Sequence, residues 1–159
     1  MRLREPSQRV SPRARTMWML TAGLEGIMLL AVLVVVGPLT DWIPLPWWTV
    51  VVAALVAVAY VVTVPQWRYL VHRWEVTETA VYTQTGWWAR ERRIAPMSRI
   101  QTVDHVEGAI SRLFGLATVT VTTASAAGAL EIAGLERDRA LALVDELTIR
   151  ADSVAGDAT

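Results

Sequence analysis

The 159-residue chain contains no cysteine, no lysine and only two histidines, and each scarcity narrows the possible chemistry. Without cysteine it has no disulfide, thiolate metal site or cysteine nucleophile. His72 and His105 lie outside any metal-binding spacing, and no GxSxG, HExxH or phosphate-binding glycine loop is present. Asp104 and Glu107 have no base or nucleophile near them in sequence, so they are predicted to be solvated charges. The sequence therefore predicts no catalytic residue, no metal or cofactor, and a protein that is not an enzyme.

Charge is almost missing from two long apolar runs near the N-terminus. Residues 17–36 contain a single charged residue, Glu25, and residues 47–64 contain none. As helices these runs would be roughly 27 to 30 Å long, close to the hydrocarbon thickness of a bilayer. Neither run has the polar stripe that a core helix of a soluble protein shows. The pattern predicts a two-helix transmembrane hairpin over residues 17–64.

The arginines indicate how the hairpin is oriented. Residues 1–16 carry five arginines against one glutamate and include two prolines, which predicts a disordered basic arm. Arg68 and Arg73 follow the second run, whereas Asp41 is the only charge between the runs. Arginines mark the cytoplasmic side, so both termini are predicted to be cytoplasmic. Tryptophans near the predicted helix ends are expected at headgroup depth: Trp18, Trp42, Trp47, Trp48 and Trp67.

Glu25 lies near the middle of its span, where an ionisable side chain is costly. It is predicted to bond a neighbouring hydroxyl such as that of Thr21, or to contact another subunit. Small residues stand four positions apart in both helices, at Ala22 and Gly26 and at Ala53 and Ala57. Such spacing lets helix backbones approach closely, so these residues are candidates for assembly within the membrane. Proton or ion transport has little support, because the spans contain no second ionisable group.

The remainder of the chain predicts a small domain over residues 65–150. Short segments rich in β-branched and aromatic residues predict strands at 73–77, 81–85, 99–103, 117–123 and 130–132. Residues 137–150 place apolar side chains on one helix face, at Ala140, Leu143, Val144 and Leu147. The domain is therefore predicted to be a small β-barrel or sandwich closed by a C-terminal helix, followed by a disordered tail at 151–159.

The order of residues in this domain resembles the bacterial pleckstrin-homology (PH)-like domain of YdbS-type membrane proteins. The matching positions are Arg73 with Trp74, Gly86, Pro96, Ile100 with Gln101, and Arg112, Leu113 and Gly115. The resemblance implies an α+β membrane protein of the bacterial plasma membrane, with two near-orthogonal sheets and a capping helix after the hairpin. It also implies a complex with a larger relative that repeats the same domain.

Lipid recognition of the eukaryotic PH type is not expected here. Those domains hold phosphoinositides with basic residues at the first hairpin turn, and the corresponding turn in this chain is Glu78, Thr79 and Ala80. A different candidate for membrane-surface contact combines indoles with cations: Trp87, Trp88, Arg90, Arg92 and Arg93. The alternative is ordinary β structure, with one tryptophan in the core and the arginines paired with Glu91 across the strands.

These features predict a non-enzymatic membrane protein whose cytoplasmic PH-like domain acts as a protein-interaction scaffold in an envelope complex. Two alternatives stay open: an anionic-lipid-sensing module at the inner membrane surface, and an accessory subunit of a transport or export system. The expected partners are membrane lipid and another membrane protein, or a second copy of the chain. No nucleic-acid partner is expected.

Overall fold

The computed structural model describes residues 5–39, 46–86, 88–124 and 128–156. The elements are, in chain order, β1 (Gln8–Arg9), α1 (Pro12–Leu39), α2 (Trp47–Val71), β2 (Arg73–Val76), β3 (Ala80–Thr85), β4 (Glu91–Pro96), a 3-10 turn (Met97–Arg99), β5 (Ile100–Val106), α3 (Ala109–Leu113), β6 (Leu116–Thr123), β7 (Leu130–Glu136) and α4 (Arg137–Gly156). The chain is thus an α+β protein in which a helical hairpin precedes a small β-sandwich and a C-terminal helix. The predicted fold class is confirmed.

The two long helices pack against each other and leave most of their apolar surface exposed. Leu24, Ile27, Met28, Leu55 and Val56 are examples of exposed apolar side chains on this pair. Segments Pro12–Val35 and Trp47–Val71, of 24 and 25 residues, are long and apolar enough to cross a membrane. Exposure of so large an apolar surface to water would be unfavourable, whereas the hydrocarbon core of a bilayer would cover it.

The strands form two antiparallel sheets, ordered β1-β2-β3-β4 and β5-β6-β7. Alternation decides which side chains face the core, as β6 shows. Val119 and Val121 are fully buried, and the intervening threonines are only partly buried. Along α4, Ala140, Leu143 and Leu147 are fully buried against the sheets, so the predicted apolar face of this helix is confirmed.

The N-terminal segment belongs to the domain, so the prediction of a disordered arm is wrong for residues 5–16. Gln8 pairs with Trp74 at the edge of the first sheet. The Ser11 hydroxyl accepts the backbone N–H of Arg13 at 3.3 Å and so caps α1, with a proline at the first helical position. Ala14 and Trp18 are buried one turn apart on the same face of α1, and this apolar face orders a segment whose surface is basic.

Two further boundaries differ from the prediction. Helix α2 continues past Pro65 to Val71, where the Gln84 amide donates to the Val71 carbonyl at 3.1 Å and satisfies the helix end. A proline removes one backbone donor, which the packed final turns of α2 tolerate. The expected disordered tail is also wrong for residues 151–156, because they continue α4, whereas residues 157–159 lie outside the described range.

Candidate functional site

Trp18 joins the membrane hairpin to the domain. Its ring lies 5.1 Å from the His72 ring at an interplanar angle of 60°, and the Arg68 guanidinium lies 4.3 Å above its centroid. The side chain is only 6% exposed, so it packs against the domain and is not open to lipid headgroups. Trp18 faces Gly134 of β7, and the missing side chain there leaves room for the indole. Trp47, Trp48 and Trp67 are exposed, and Trp42 lies outside the described residues.

A cleft of about 530 Å³ opens where the last turns of α2 meet the sheets, and we call it the boundary cleft. Tyr60 and Val64 of α2 line its side toward the hairpin. Its ionisable lining residues are Arg68, His72, Glu91, Arg93 and Glu131. The sequence analysis did not predict this site, because its walls come from α2, β3, β4 and β7.

Two of the four charged residues in the boundary cleft neutralise each other. Arg93 Nε contacts Glu91 Oε1 at 2.7 Å, and Arg93 Nη1 donates to the Ala129 carbonyl at 2.9 Å. The half-buried Arg68 guanidinium has no hydrogen bond or ion pair with any described residue; its neighbours are the Trp18 ring and Tyr60. The exposed Glu131 carboxylate likewise has no ion pair within the described part of the chain.

His72 forms a buried part of the same wall. Its pKa is lowered to about 4, mainly by burial and secondly by the nearby Arg68 charge, while a hydrogen bond with the Arg68 backbone opposes the shift. The imidazole is therefore neutral at pH 7. Its Nδ1 is buried and has no hydrogen-bond partner among the described residues. The wall of the cleft thus contains a cation, an anion and a neutral imidazole.

The structure separates the residues predicted to contact a membrane surface. Trp88 is 88% exposed and Arg90 is exposed, both in the loop between β3 and β4. Arg92 instead donates to Gln84 at 2.9 Å and pairs with Glu5 at 2.7 Å, and Arg93 lines the boundary cleft. The predicted pairing with Glu91 is made by Arg93 on the same strand. Trp87 lies outside the described residues.

The first hairpin turn lies at the opposite end of the β2–β3 hairpin from α2. Strand β2 starts directly after His72 and runs away from the helix, so the turn at 77–79 is remote from the hairpin. Arg150 of α4 also donates to the Thr77 carbonyl there at 3.0 Å. The loop between β3 and β4, with Trp88 and Arg90, is instead at the end of the sheet nearest α2.

The five residues predicted to mediate assembly in the membrane all line one groove between α1 and α2, of about 500 Å³: Ala22, Glu25, Gly26, Ala53 and Ala57. A methyl group at Gly26 would lie 3.6 Å from the Ala57 Cβ, which is ordinary contact. The Thr21 hydroxyl donates to the Trp18 carbonyl at 3.0 Å, so the expected bond from Thr21 to Glu25 is wrong. No described residue donates a hydrogen bond to the Glu25 carboxyl.

Glu107 is not the solvated charge that the sequence predicted. Its side chain is 12% exposed and lies 2.8 Å from Arg137 Nε, 3.7 Å from Arg112 Nε and 3.5 Å from His105 Nε2. These contacts connect β5, α3 and α4, so the cluster has a structural role. Within the described ranges, no three histidine or acidic side chains are grouped so that they could hold a metal ion.

Comparison with known proteins agrees with this architecture. The family model for the bacterial PH domain matches residues 23–150. The chain is 30% identical over 148 residues to the UPF0699 transmembrane protein YdbS of Bacillus subtilis (strain 168), covering 91% of this chain and 92% of the relative. No solved structure matches the chain. The two apolar helices and these matches show that the chain is a membrane-associated member of the bacterial PH domain family, of the YdbS type.

Proposed function

We propose that the protein is a membrane-anchored adaptor whose helical hairpin binds a transmembrane helix of a partner protein. The observation that carries this proposal is the Glu25 carboxyl, which lines the α1–α2 groove without a hydrogen-bond donor from a described residue. An ionisable group at mid-span costs about 2.5–3.5 kcal/mol unless it is compensated. A partner that supplies a donor or a cation in the groove would offset this cost.

The composition of the two spans favours a partner other than a second copy. Glu25 is the single charge in residues 17–36, and residues 47–64 carry none, so another copy offers no intramembrane cation. Gly26, Ala53 and Ala57 provide a shallow groove floor that a helix backbone can approach closely. The proposed partner therefore carries an arginine, lysine, histidine or amide side chain within its own span. We place both termini and the PH domain on the cytoplasmic side, because arginines flank the domain-side ends of both helices.

Site-specific photocrosslinking in intact cells tests the groove. Leu29 lines it, whereas its neighbour Met28 is equally apolar and exposed but does not. A photoreactive residue at position 29 is expected to give a discrete protein adduct, and one at position 28 to give mainly lipid adducts. Adding Glu25→Leu should reduce the position-29 adduct by about tenfold, as expected for loss of one buried polar contact.

Three outcomes would contradict the adaptor proposal. These are equal adducts at positions 28 and 29, an adduct that persists with Glu25→Leu, or an adduct consisting of two copies of this chain. The last result would assign the groove to a homo-oligomer. The Glu25→Gln variant, which keeps a hydrogen-bonding side chain, distinguishes loss of polarity from loss of the ionisable group.

A second candidate function is contact with an anionic membrane surface, and two exposed apolar residues favour it. Trp88 is in the loop at the α2 end of its sheet, beside the exposed Arg90. Leu113 of α3 is 83% exposed and lies near Arg13 and Thr16 at the start of α1. Both residues are thus at the side of the domain from which the hairpin emerges, where headgroups would meet them. Such contact would orient the domain against the bilayer.

The absence of native cysteine allows this contact to be measured directly. Single Trp88→Cys, Leu113→Cys and Glu78→Cys variants can each carry a polarity-sensitive fluorophore, in full-length protein in nanodiscs. The labels at 88 and 113 are expected to be quenched by spin-labelled lipid about twofold more than the label at the remote turn. Arg90→Gln should weaken quenching at position 88 in anionic nanodiscs. Equal quenching at all three positions would exclude the contact.

A further inference from the structure

We propose that the boundary cleft binds a ligand that carries both a phosphate and a primary amine, as the phosphoethanolamine headgroup of a phospholipid does. Arg93 and Glu91 form an ion pair with each other. The inference rests on the other two charged residues of the cleft, Arg68 and Glu131, which have no ion pair with a described residue. It is independent of the partner helix proposed for the α1–α2 groove.

Arg68 is the phosphate-binding group. Its guanidinium carbon lies 4.3 Å from the Trp18 ring centroid, and its N–H groups have no hydrogen bond with a described residue. A half-buried guanidinium without a bonded anion is unfavourable, and the planar arrangement of donors matches phosphate oxygens. Arg68 follows Val64 by one helical turn, about 6 Å along the axis, which places it at headgroup depth if the apolar run spans the bilayer.

Glu131 is the group that would receive the amine. It lines the boundary cleft from β7 and has no cationic partner among the described residues, whereas the Glu91 carboxylate is already bonded to Arg93. A cleft with one available cation and one available anion complements a zwitterion. A headgroup with only a negative charge has no cation to pair with Glu131, and a choline headgroup has no N–H to donate to it.

His72 lies beside Arg68 as a neutral part of the cleft wall. The imidazole is buried in the same wall next to Arg68, and its Nδ1 has no partner among the described residues. This nitrogen is shielded from the cleft, so the contacts proposed for the ligand are those with Arg68 and Glu131. A zwitterionic ligand thus accounts for the two charged groups of the cleft that have no ion pair with a described residue.

Lipid binding to the full-length protein in detergent, measured by native mass spectrometry, tests the assignment. Phosphatidylethanolamine, phosphatidylglycerol and phosphatidylcholine with identical acyl chains are titrated separately. Phosphatidylethanolamine is expected to bind at least about tenfold more tightly than the other two. Arg68→Gln should weaken its binding by about tenfold or more, and Arg68→Lys, which keeps the cation, by less.

Two further variants make the test specific. Arg15→Gln removes an arginine of the same charge near the domain-side end of α1, outside the boundary cleft, where Arg15 contacts Gln66 at 3.4 Å. It should change binding by less than about twofold. Glu131→Gln alters an exposed strand residue and should lower the affinity for phosphatidylethanolamine to that for phosphatidylglycerol.

Soluble probes identify the source of the ligand. Binding of O-phosphoethanolamine but not inorganic phosphate, with the same dependence on Arg68 and Glu131, supports the chemistry and, without lipid binding, assigns a soluble ligand. Lipid binding with weak binding of the soluble probe assigns a headgroup.

The proposal is overturned if phosphatidylglycerol or phosphatidylcholine binds as tightly as phosphatidylethanolamine. It is also overturned if Arg15→Gln weakens binding as much as Arg68→Gln does, or if neither the lipid nor the soluble probe binds.

Discussion

Replacing Gly134 with alanine is expected to lower the free energy of unfolding of the domain by about 2–5 kcal/mol. Gly134 has a φ of 78°, which costs any residue with a Cβ roughly 1–2 kcal/mol. A Cβ there would also lie 2.7 Å from the Ala14 Cβ, and would push α1 away from β7. The same displacement would disturb Trp18, which is 3.6 Å from the added methyl. Thermal unfolding of the full-length protein in detergent, followed by near-ultraviolet circular dichroism, measures the loss.

The chain offers a matched control for this substitution. Gly128 has a φ of 80°, but apart from its chain neighbours no atom of the described residues lies within 4 Å of a methyl group placed there. Gly128→Ala should therefore cost only the backbone strain, about 1–2 kcal/mol. Combining Gly134→Ala with Ala14→Gly removes the opposing methyl and should recover part of the loss. Equal losses at positions 128 and 134, or no recovery in the double variant, would show that the contact between α1 and β7 is not the cause.

Local patterns were enough to predict most of the domain. The 3.6-residue periodicity of α4 describes one apolar face, which lies in the core as expected. The alternation of valine and threonine in β6 likewise matches the burial of Val119 and Val121. These signals are contained within single elements. For the same reason the apolar runs of α1 and α2 predicted the membrane hairpin without knowledge of what the helices contact.

Other features depend on contacts between distant segments. Five arginines dominate the composition of residues 1–16, so the sequence indicates an exposed segment. Val10 and Ala14 in that segment nevertheless pack into the core. Trp18 resembles a membrane-interface tryptophan by its place in the sequence, but Gly134 provides the space that buries it. Arg68 and Glu131 are far apart in the chain and line one cleft only because the fold brings residues of α2, β3, β4 and β7 around it.

Acidification is expected to destabilise the protein through His72 by about 3 kcal/mol between pH 6.5 and pH 4. The pKa of His72 is about 4 in the folded protein, against an ordinary value of 6.5. Below pH 6.5 the unfolded chain therefore binds a proton that the folded chain does not. The stabilisation is complete above pH 6.5 and is lost as the pH falls toward 4. For a domain of this size, the loss corresponds to a decrease in melting temperature of about 10–20 °C.

Carboxylates titrate near the lower end of this pH range, so the contribution of His72 must be isolated by difference. Arg68 on α2, Glu91 and Arg93 on β4, and Glu131 on β7 line the same cleft and remain in every variant. His72→Phe keeps an aromatic ring against Trp18 but cannot be protonated, so its melting temperature should fall less steeply below pH 6.5. His105→Gln removes the other histidine, and the part of the decline that depends on His72 should remain. Parallel pH profiles for the native protein and His72→Phe would contradict the assignment, because the unfolded chain would then not bind an additional proton at His72.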